Sequence, residues 1–251
     1  MHYLDYLILI IAGFGAGFIN TIAGGGTLLT LPTLIFIGLP PAVANGTNRV
    51  AILIQTFFAI RGFKSKQVST YPFSLYLGIA AFLGSFIGAR IAVDIKGELF
   101  NKILAIIMIV VVALIAIQPK LNINQLQERL LGKYLWMSII VFLFLGIYGG
   151  FINAGIGFLM LLWLPYINRM SLVRAKATKV FVVCLYTISA VIMFAYHDKI
   201  NWFYGFVLAI GNASGAWIAS RWSVKKGDGV IKIIVVIMVM VMAIKLWFSK
   251  Q

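Results

Sequence analysis

The chain has 251 residues, 62% of them hydrophobic and only 11% charged, and its mean hydropathy is +1.03; a soluble domain carries about 25% charged residues, which leaves little room for one here. Lys and Arg number 21 against 6 Asp and Glu, a net charge of +15, but the cations sit between apolar segments, the pattern of membrane-protein loops rather than of a nucleic-acid-binding surface. A single cysteine, Cys184, excludes an intrachain disulfide and a Cys-rich metal site.

The N-terminal MHYLDYLILI lacks a basic flank and a small-residue cleavage site, so it reads as the first membrane helix and not as a removed signal. Apolar segments are predicted at 3–23, 27–38, 47–61, 72–93 and 99–117, then at 134–153, 156–168, 179–196, 200–221 and 229–248. The second segment of each set is short and bounded by Gly or Pro. It fits half of a discontinuous helix, a re-entrant hairpin or a tightly fitted span. Residues 13–49 carry most of the information. An apolar helix breaks at Gly24-Gly25-Gly26, resumes, stops at Pro40-Pro41, and restarts through Ala44-Asn45-Gly46-Thr47-Asn48-Arg49. In lipid each unpaired backbone group costs several kcal/mol, so such breaks survive only inside protein or beside a water-filled cavity. Asn20, Thr21, Thr27, Asn45, Thr47, Asn48 and Arg49 are expected to wall that cavity.

The pattern recurs. Aligning Gly13 with Gly146 pairs Gly17-Phe18-Ile19-Asn20 with Gly150-Phe151-Ile152-Asn153, Gly24 with Gly157, Leu28-Leu29 with Leu161-Leu162 and Leu31-Pro32 with Leu164-Pro165. With two residues lost in the next loop, Gly46-Thr47-Asn48 meets Ala177-Thr178-Lys179, and later Gly84 and Gly88 meet Gly211 and Gly215. The chain therefore divides into a first repeat at 1–117, a polar connector at 118–133 and a second repeat at 134–251. Equivalent loops differ in charge. Arg61, Lys64 and Lys66 face Asp198 and Lys199, while an uncharged 38–46 faces Arg169, Arg174, Lys176 and Lys179. The positive-inside rule then gives an inverted repeat with an odd number of crossings per half and cytoplasmic loops near 61–70, 118–133, 169–179 and 221–232. The predicted fold is an all-α polytopic membrane protein. It has two inverted-topology repeats of four to five helical segments, a transporter architecture with its site at the repeat interface near mid-membrane.

Asp5, Asp94, Glu98, Glu128, Asp198 and Asp228 all lie at predicted segment ends or in loops, as do His2 and His197. That argues against a carboxylate proton relay, and the lack of an acid pair, an HExxH or a Ser/His/Asp set argues against an enzyme. No cofactor or metal ion is called for. An anion needs donors instead: amides, hydroxyls, a cation or two, and helix N-termini with their unpaired N–H groups. The Gly24–Gly26 break and the Asn45–Thr47 stretch are each expected to present such a terminus. The candidate substrate-binding residues are Asn20, Thr21, Gly24, Gly25, Gly26, Asn45, Thr47, Asn48, Arg49 and Gln55 from the first half and Asn153, Lys176, Thr178 and Lys179 from the second. Each has a plainer reading. The glycines suit close packing, Thr47 and Thr178 suit N-caps, and Lys176 and Lys179 suit a cationic loop. Gly84/Gly88 and Gly211/Gly215 suit close helix packing.

The stretches GFINTIAGGGTLLTLP at 17–32, GLPPAVANGTNRVA at 38–51, YGGFINAGIGFLMLLWLP at 148–165, VRAKATKV at 173–180 and GNASGAWIASRWSVKKG at 211–227 resemble the sulfite exporter TauE/SafE family. The resemblance covers nearly the whole chain, with Phe158 in place of the second glycine of the break and Lys176 where the repeat suggests Asn. It implies a secondary transporter in the cytoplasmic (inner) membrane that moves sulfite, sulfonates or small organic anions, with the lipid bilayer and a small anionic substrate as its partners. With the cell interior negative, an uncoupled carrier expels anions, so export is expected. The alternative is an anion channel, and behind it a membrane-embedded enzyme or a scaffold.

Overall fold

The computed structural model describes residues 3–117 and 127–223, and the predicted segment 229–248 and most of the connector lie outside them. The described residues form nine helices and no strand: α1 (Tyr3–Ile22), α2 (Thr27–Phe36), α3 (Pro41–Lys64), α4 (Phe73–Val93), α5 (Gly97–Ile117), α6 (Lys133–Phe151), α7 (Ile156–Tyr166), α8 (Leu172–Tyr196) and α9 (Trp202–Trp222). Among the described residues α4, α6 and α8 are long and apolar enough to cross a membrane. α2, at 10 residues, covers about 15 Å and falls well short of the ~30 Å hydrocarbon core.

Local chemistry sets the boundaries. Gly24, at φ +93°, ends α1 with its N–H on the Ile19 carbonyl at 3.2 Å. Asn153 at φ +60° and Gly155 at φ +72° turn the chain out of α6. Pro41 opens α3, where its missing N–H costs nothing. Ser171 caps α8 by accepting from the Arg174 N–H, and Asn201 caps α9 by accepting from the Tyr204 N–H at 3.1 Å. Two expectations are corrected here. Asn45–Thr47 lies in the second turn of α3 and presents no helix N-terminus, and the N-cap positions belong to Pro40 and Ser171 rather than Thr47 and Thr178.

Helices of the two halves pack in exchanged pairs. α1 lies against α9 and α4 against α6; α3 and α8 touch each other and pack on α9 and α4 respectively. Glycines permit the approach. A Cβ at Gly17 would lie 2.1 Å from the Asn212 carbonyl oxygen, and one at the repeat-equivalent Gly150 would lie 2.1 Å from that of Ser85. Gly211 meets Ile10 and Gly215 meets Phe14, just as Gly84 meets Leu143 and Gly88 meets Ile147. The contact is self-complementary: whatever one half does to the other, the other returns.

The ends differ in charge. At one end Tyr6 packs on Phe203, the Asn201 N–H donates to Thr47 Oγ1, and Pro41 lies beside Gly97. This end carries Arg90 and Lys102 in pairs with Asp94 and Glu98. At the other end Arg221 donates to Ser65, Asn168 holds the Arg129 main chain, and Arg174 pairs with Glu128. There Arg61, Lys64, Lys66, Arg129, Lys133, Arg169, Arg174 and Arg221 meet a single acid, Glu128, among the described residues. α1 and α2 form a hairpin that starts and ends at the first, mixed-charge end. α6 and α7 form one that starts and ends at the basic end. The hairpin tips meet inside, where Gly24 and Gly157 touch through their backbones.

Candidate functional site

A small cavity lies at the meeting of the hairpin tips, walled by Asn20, Gln55, Thr56, Asn153, Ile156, Gly157, Lys179, Val180, Val183 and Tyr186. Its volume is about 10 Å³, the room of one water molecule.

The two half-sites answer each other. From the tip of the first hairpin, Asn20 donates through Nδ2 to Gln55 Oε1 at 3.1 Å. From the second, Asn153 accepts at Oδ1 from the Tyr186 hydroxyl, and its Nδ2 donates to Thr27 Oγ1 at 3.2 Å. Asn20 and Asn153 are repeat equivalents, and the alignment that pairs Asn48 with Lys179 also pairs Gln55 with Tyr186. A tip amide therefore bonds, in each half, to the same helical position of that half's long polar helix. Lys179 breaks the symmetry. It is 2% exposed and its ammonium donates to the carbonyls of Asn20 at 2.6 Å and Thr21 at 2.9 Å, at the C-terminal end of α1. The partial negative charge of a helix C-terminus suits a cation there. Its counterpart Asn48 is fully buried, and neither of its side-chain amide atoms has a hydrogen-bond partner among the described residues.

A second cation works across the halves. Arg49 is fully buried. It donates to the Gly149 carbonyl at 2.5 Å and the Gly150 carbonyl at 2.9 Å, while Asn45 Nδ2 takes the Phe151 carbonyl at 2.8 Å. Asn45 Oδ1 in turn accepts from the Arg49 guanidinium at 3.2 Å. α3 thus holds the C-terminal end of α6, and α8 holds that of α1.

Of the candidates, Asn20, Gln55, Asn153 and Lys179 come together at the cavity. Arg49 and Asn45 grip helix α6 instead. The Thr21 hydroxyl is spent on the Gly17 carbonyl at 2.8 Å, Thr47 receives the Asn201 N–H at 2.9 Å, and Thr178 faces Met170. Lys176 is buried on α8 but not on the cavity wall. Gly24, Gly25 and Gly26 serve packing: their missing Cβ atoms would meet Gly157, the Phe158 ring and the Ala16 carbonyl at 2.4, 2.5 and 2.1 Å. Phe158, at the repeat position of Gly25, fills the space that glycine leaves. Tyr186 and Thr56 were not among the sequence candidates. The signal for Tyr186 is its repeat equivalence to Gln55 and its place two turns beyond Lys179 on one helix face.

The sequence model of the family described as "Sulfite exporter TauE/SafE" matches residues 9–246. A probable membrane transporter protein of Haemophilus influenzae is 31% identical over 243 residues, 97% of this chain and 94% of its own length. The probable membrane transporter protein YfcA of Escherichia coli K12 is 31% identical over 248 residues, covering 97% and 90%. The probable membrane transporter protein ORF9 of a Sinorhizobium species is 25% identical over 245 residues, covering 98% and 92%. No solved structure matches the chain significantly.

Proposed function

This chain belongs to the sulfite exporter TauE/SafE family and is a membrane transporter, and from that premise we propose that it carries a small sulfur-containing or organic anion outward across the cytoplasmic membrane, binding it between the two hairpin tips. One observation carries the reading: Lys179 and the amides of Asn20, Gln55 and Asn153 converge with Tyr186 on one small cavity that has no acid in its wall. Charge-assisted bonds to an oxyanion are roughly twice as strong as neutral ones, and the wall holds no carboxylate to compete with an oxyanion for the ammonium, which now donates to the Asn20 and Thr21 carbonyls. The inverted orientation of the halves is part of the proposal. It is supported by α3 running from the mixed-charge end to the basic end while its counterpart α8 runs back. A cavity with room for about one water, too small for any of these anions, favours a carrier that must change shape to bind over a continuously open anion channel.

Direction follows from energetics. One charge crossing about 100 mV gains about 2.3 kcal/mol, a gradient of roughly fifty-fold, so a monoanion leaves a negative-inside cell without a coupling ion.

Flux into proteoliposomes and thermal stabilisation by a panel of sulfite, sulfate, thiosulfate, sulfoacetate, taurine, acetate and chloride test the proposal together. A ligand at 100 times its Kd adds about 2.7 kcal/mol to stability, a readable melting shift. We expect one sulfur oxyanion, sulfonate or carboxylate to stabilise the protein and to show saturable flux and counterflow. Lys179→Met should lose the shift and lower flux at least a hundred-fold. Wild-type flux in a well-folded Lys179→Met protein would sink the site; ohmic, non-saturating flux would make the protein a channel.

A further inference from the structure

α3 and α9 run parallel, and a groove of about 600 Å³ opens between them. Its walls are apolar, with Ile54, Phe58, Phe206, Ile210 and Trp217 along its length and Arg61 at its basic end. From Phe206 to Trp217 it follows eleven residues of helix, about 16 Å, and Phe58, Phe206 and Ile210 are exposed along it. Nothing in the transport cycle proposed above uses it.

Charge identifies the occupant. Arg61 lies over the Phe57 ring at 4.4 Å and Arg221 over the Trp217 ring at 4.7 Å. The Arg221 Nε donates to Ser65 Oγ at 3.3 Å, which brings Arg221 to the turn that follows Arg61 and Lys64. A guanidinium stacked on a ring keeps its in-plane N–H groups for a phosphate. Among the described residues no acid pairs with Arg61, Lys64 or Arg221; the ion pairs there are Arg90–Asp94, Lys102–Glu98 and Arg174–Glu128. An apolar slot that ends in unneutralised cations at a membrane surface has the chemistry of an amphiphile with an acyl chain and an anionic head.

We infer that this groove is a binding site for an anionic phospholipid, its acyl chain along α3 and α9 and its phosphate at Arg61 and Arg221. The lipid ties α3, which carries Gln55 and Thr56 of the transport cavity, to α9, which packs on α1.

The test uses the full-length protein, stripped of lipid in detergent, with phosphatidylglycerol and phosphatidylcholine of identical acyl chains. Native mass spectrometry and thermal unfolding read the result. We expect phosphatidylglycerol to be retained at least tenfold better and to give the larger melting shift. R61Q/R221Q should abolish the difference, and A213W, which fills the groove, should reduce retention of both lipids. R90Q, at the opposite end, should change neither. Equal retention of the two lipids by the wild-type protein overturns the inference, whatever the variants do. So does a preference that survives in folded R61Q/R221Q. A disulfide-linked dimer through W217C in a C184S background, blocked by no added lipid, would give the groove to a second copy of the chain instead.

Discussion

Asn20 and Asn153 occupy one repeat position, yet they meet different partners, Gln55 and Tyr186. Both partners sit where the repeat alignment places them, so the same contact is made with different chemistry. Losing one neutral hydrogen bond costs about 1 kcal/mol, and leaving a buried group unsatisfied costs about 1–3. Tyr186→Phe orphans Asn153 Oδ1 in the cavity wall, and we expect a folded protein whose apparent substrate affinity changes about tenfold, measured by flux titration. Asn20→Leu removes both the amide and its bond to Gln55, and should cost more. Arg49 has a different job. Arg49→Leu orphans the Gly149 and Gly150 carbonyls and should lower stability by about 2–6 kcal/mol at ~1–3 for each, read as a fall in the unfolding midpoint. Arg49→Lys, unable to reach both carbonyls as a planar fork, should recover only part of that.

At the scale of elements, the hairpins were half legible. Gly24–Gly26 and the short second segments announce a break, and the segment ends predicted for α1, α2, α4, α5, α6, α7 and α9 fall within two residues of the observed ones. α3 and α8 begin six and seven residues earlier than predicted. The reason is physical: the missed turns carry Pro41, Asn45 and Gly46, and Arg174, Lys176 and Thr178, which do not read as membrane helix, and the buried polar residues there and just beyond are costly in lipid. They are tolerated because the other half supplies acceptors, the carbonyls of residues 149–151 for Arg49 and Asn45 and those of Asn20 and Thr21 for Lys179. The tips are held by close contact. Gly24→Ala places a Cβ 2.4 Å from the Gly157 backbone at φ +93°, and should cost about 2–5 kcal/mol from backbone strain and overpacking together. Gly38, at φ +100°, has open space around its missing Cβ, so Gly38→Ala should cost only ~1–2 kcal/mol. Thermal unfolding of the two variants side by side checks the contrast.

For the whole molecule, the clustering of basic residues at one end predicts orientation. In a C184S background, single cysteines at Lys66 and Arg169 should react with a membrane-impermeant maleimide only in inside-out vesicles, and cysteines at Lys96 and Lys199 only in right-side-out cells. Labelling of all four from one side would overturn the inverted arrangement. The self-complementary packing of α1 on α9 and α4 on α6 also makes the halves interdependent. Gly17→Leu would force apart the α1–α9 pair, where even a Cβ meets the Asn212 backbone at 2.1 Å. We expect it to lower both folded yield and flux.

Composition and periodicity by themselves determined that this chain crosses a membrane, because an apolar run that length has no other stable home. The repeat determined that it has two related halves, and the spacing of Gly and Pro determined where its helices break. Only the tertiary structure decided which polar residues share a cavity. Asn20, Gln55, Asn153, Tyr186 and Lys179 lie as much as 159 positions apart, and each buried polar group settles on whichever acceptor the opposite half places within reach. That choice turned Arg49 into the anchor of α6 and put Lys179 on the cavity wall, a distinction that rests on one residue of helix, about 100°, and on which carbonyls stand across from it.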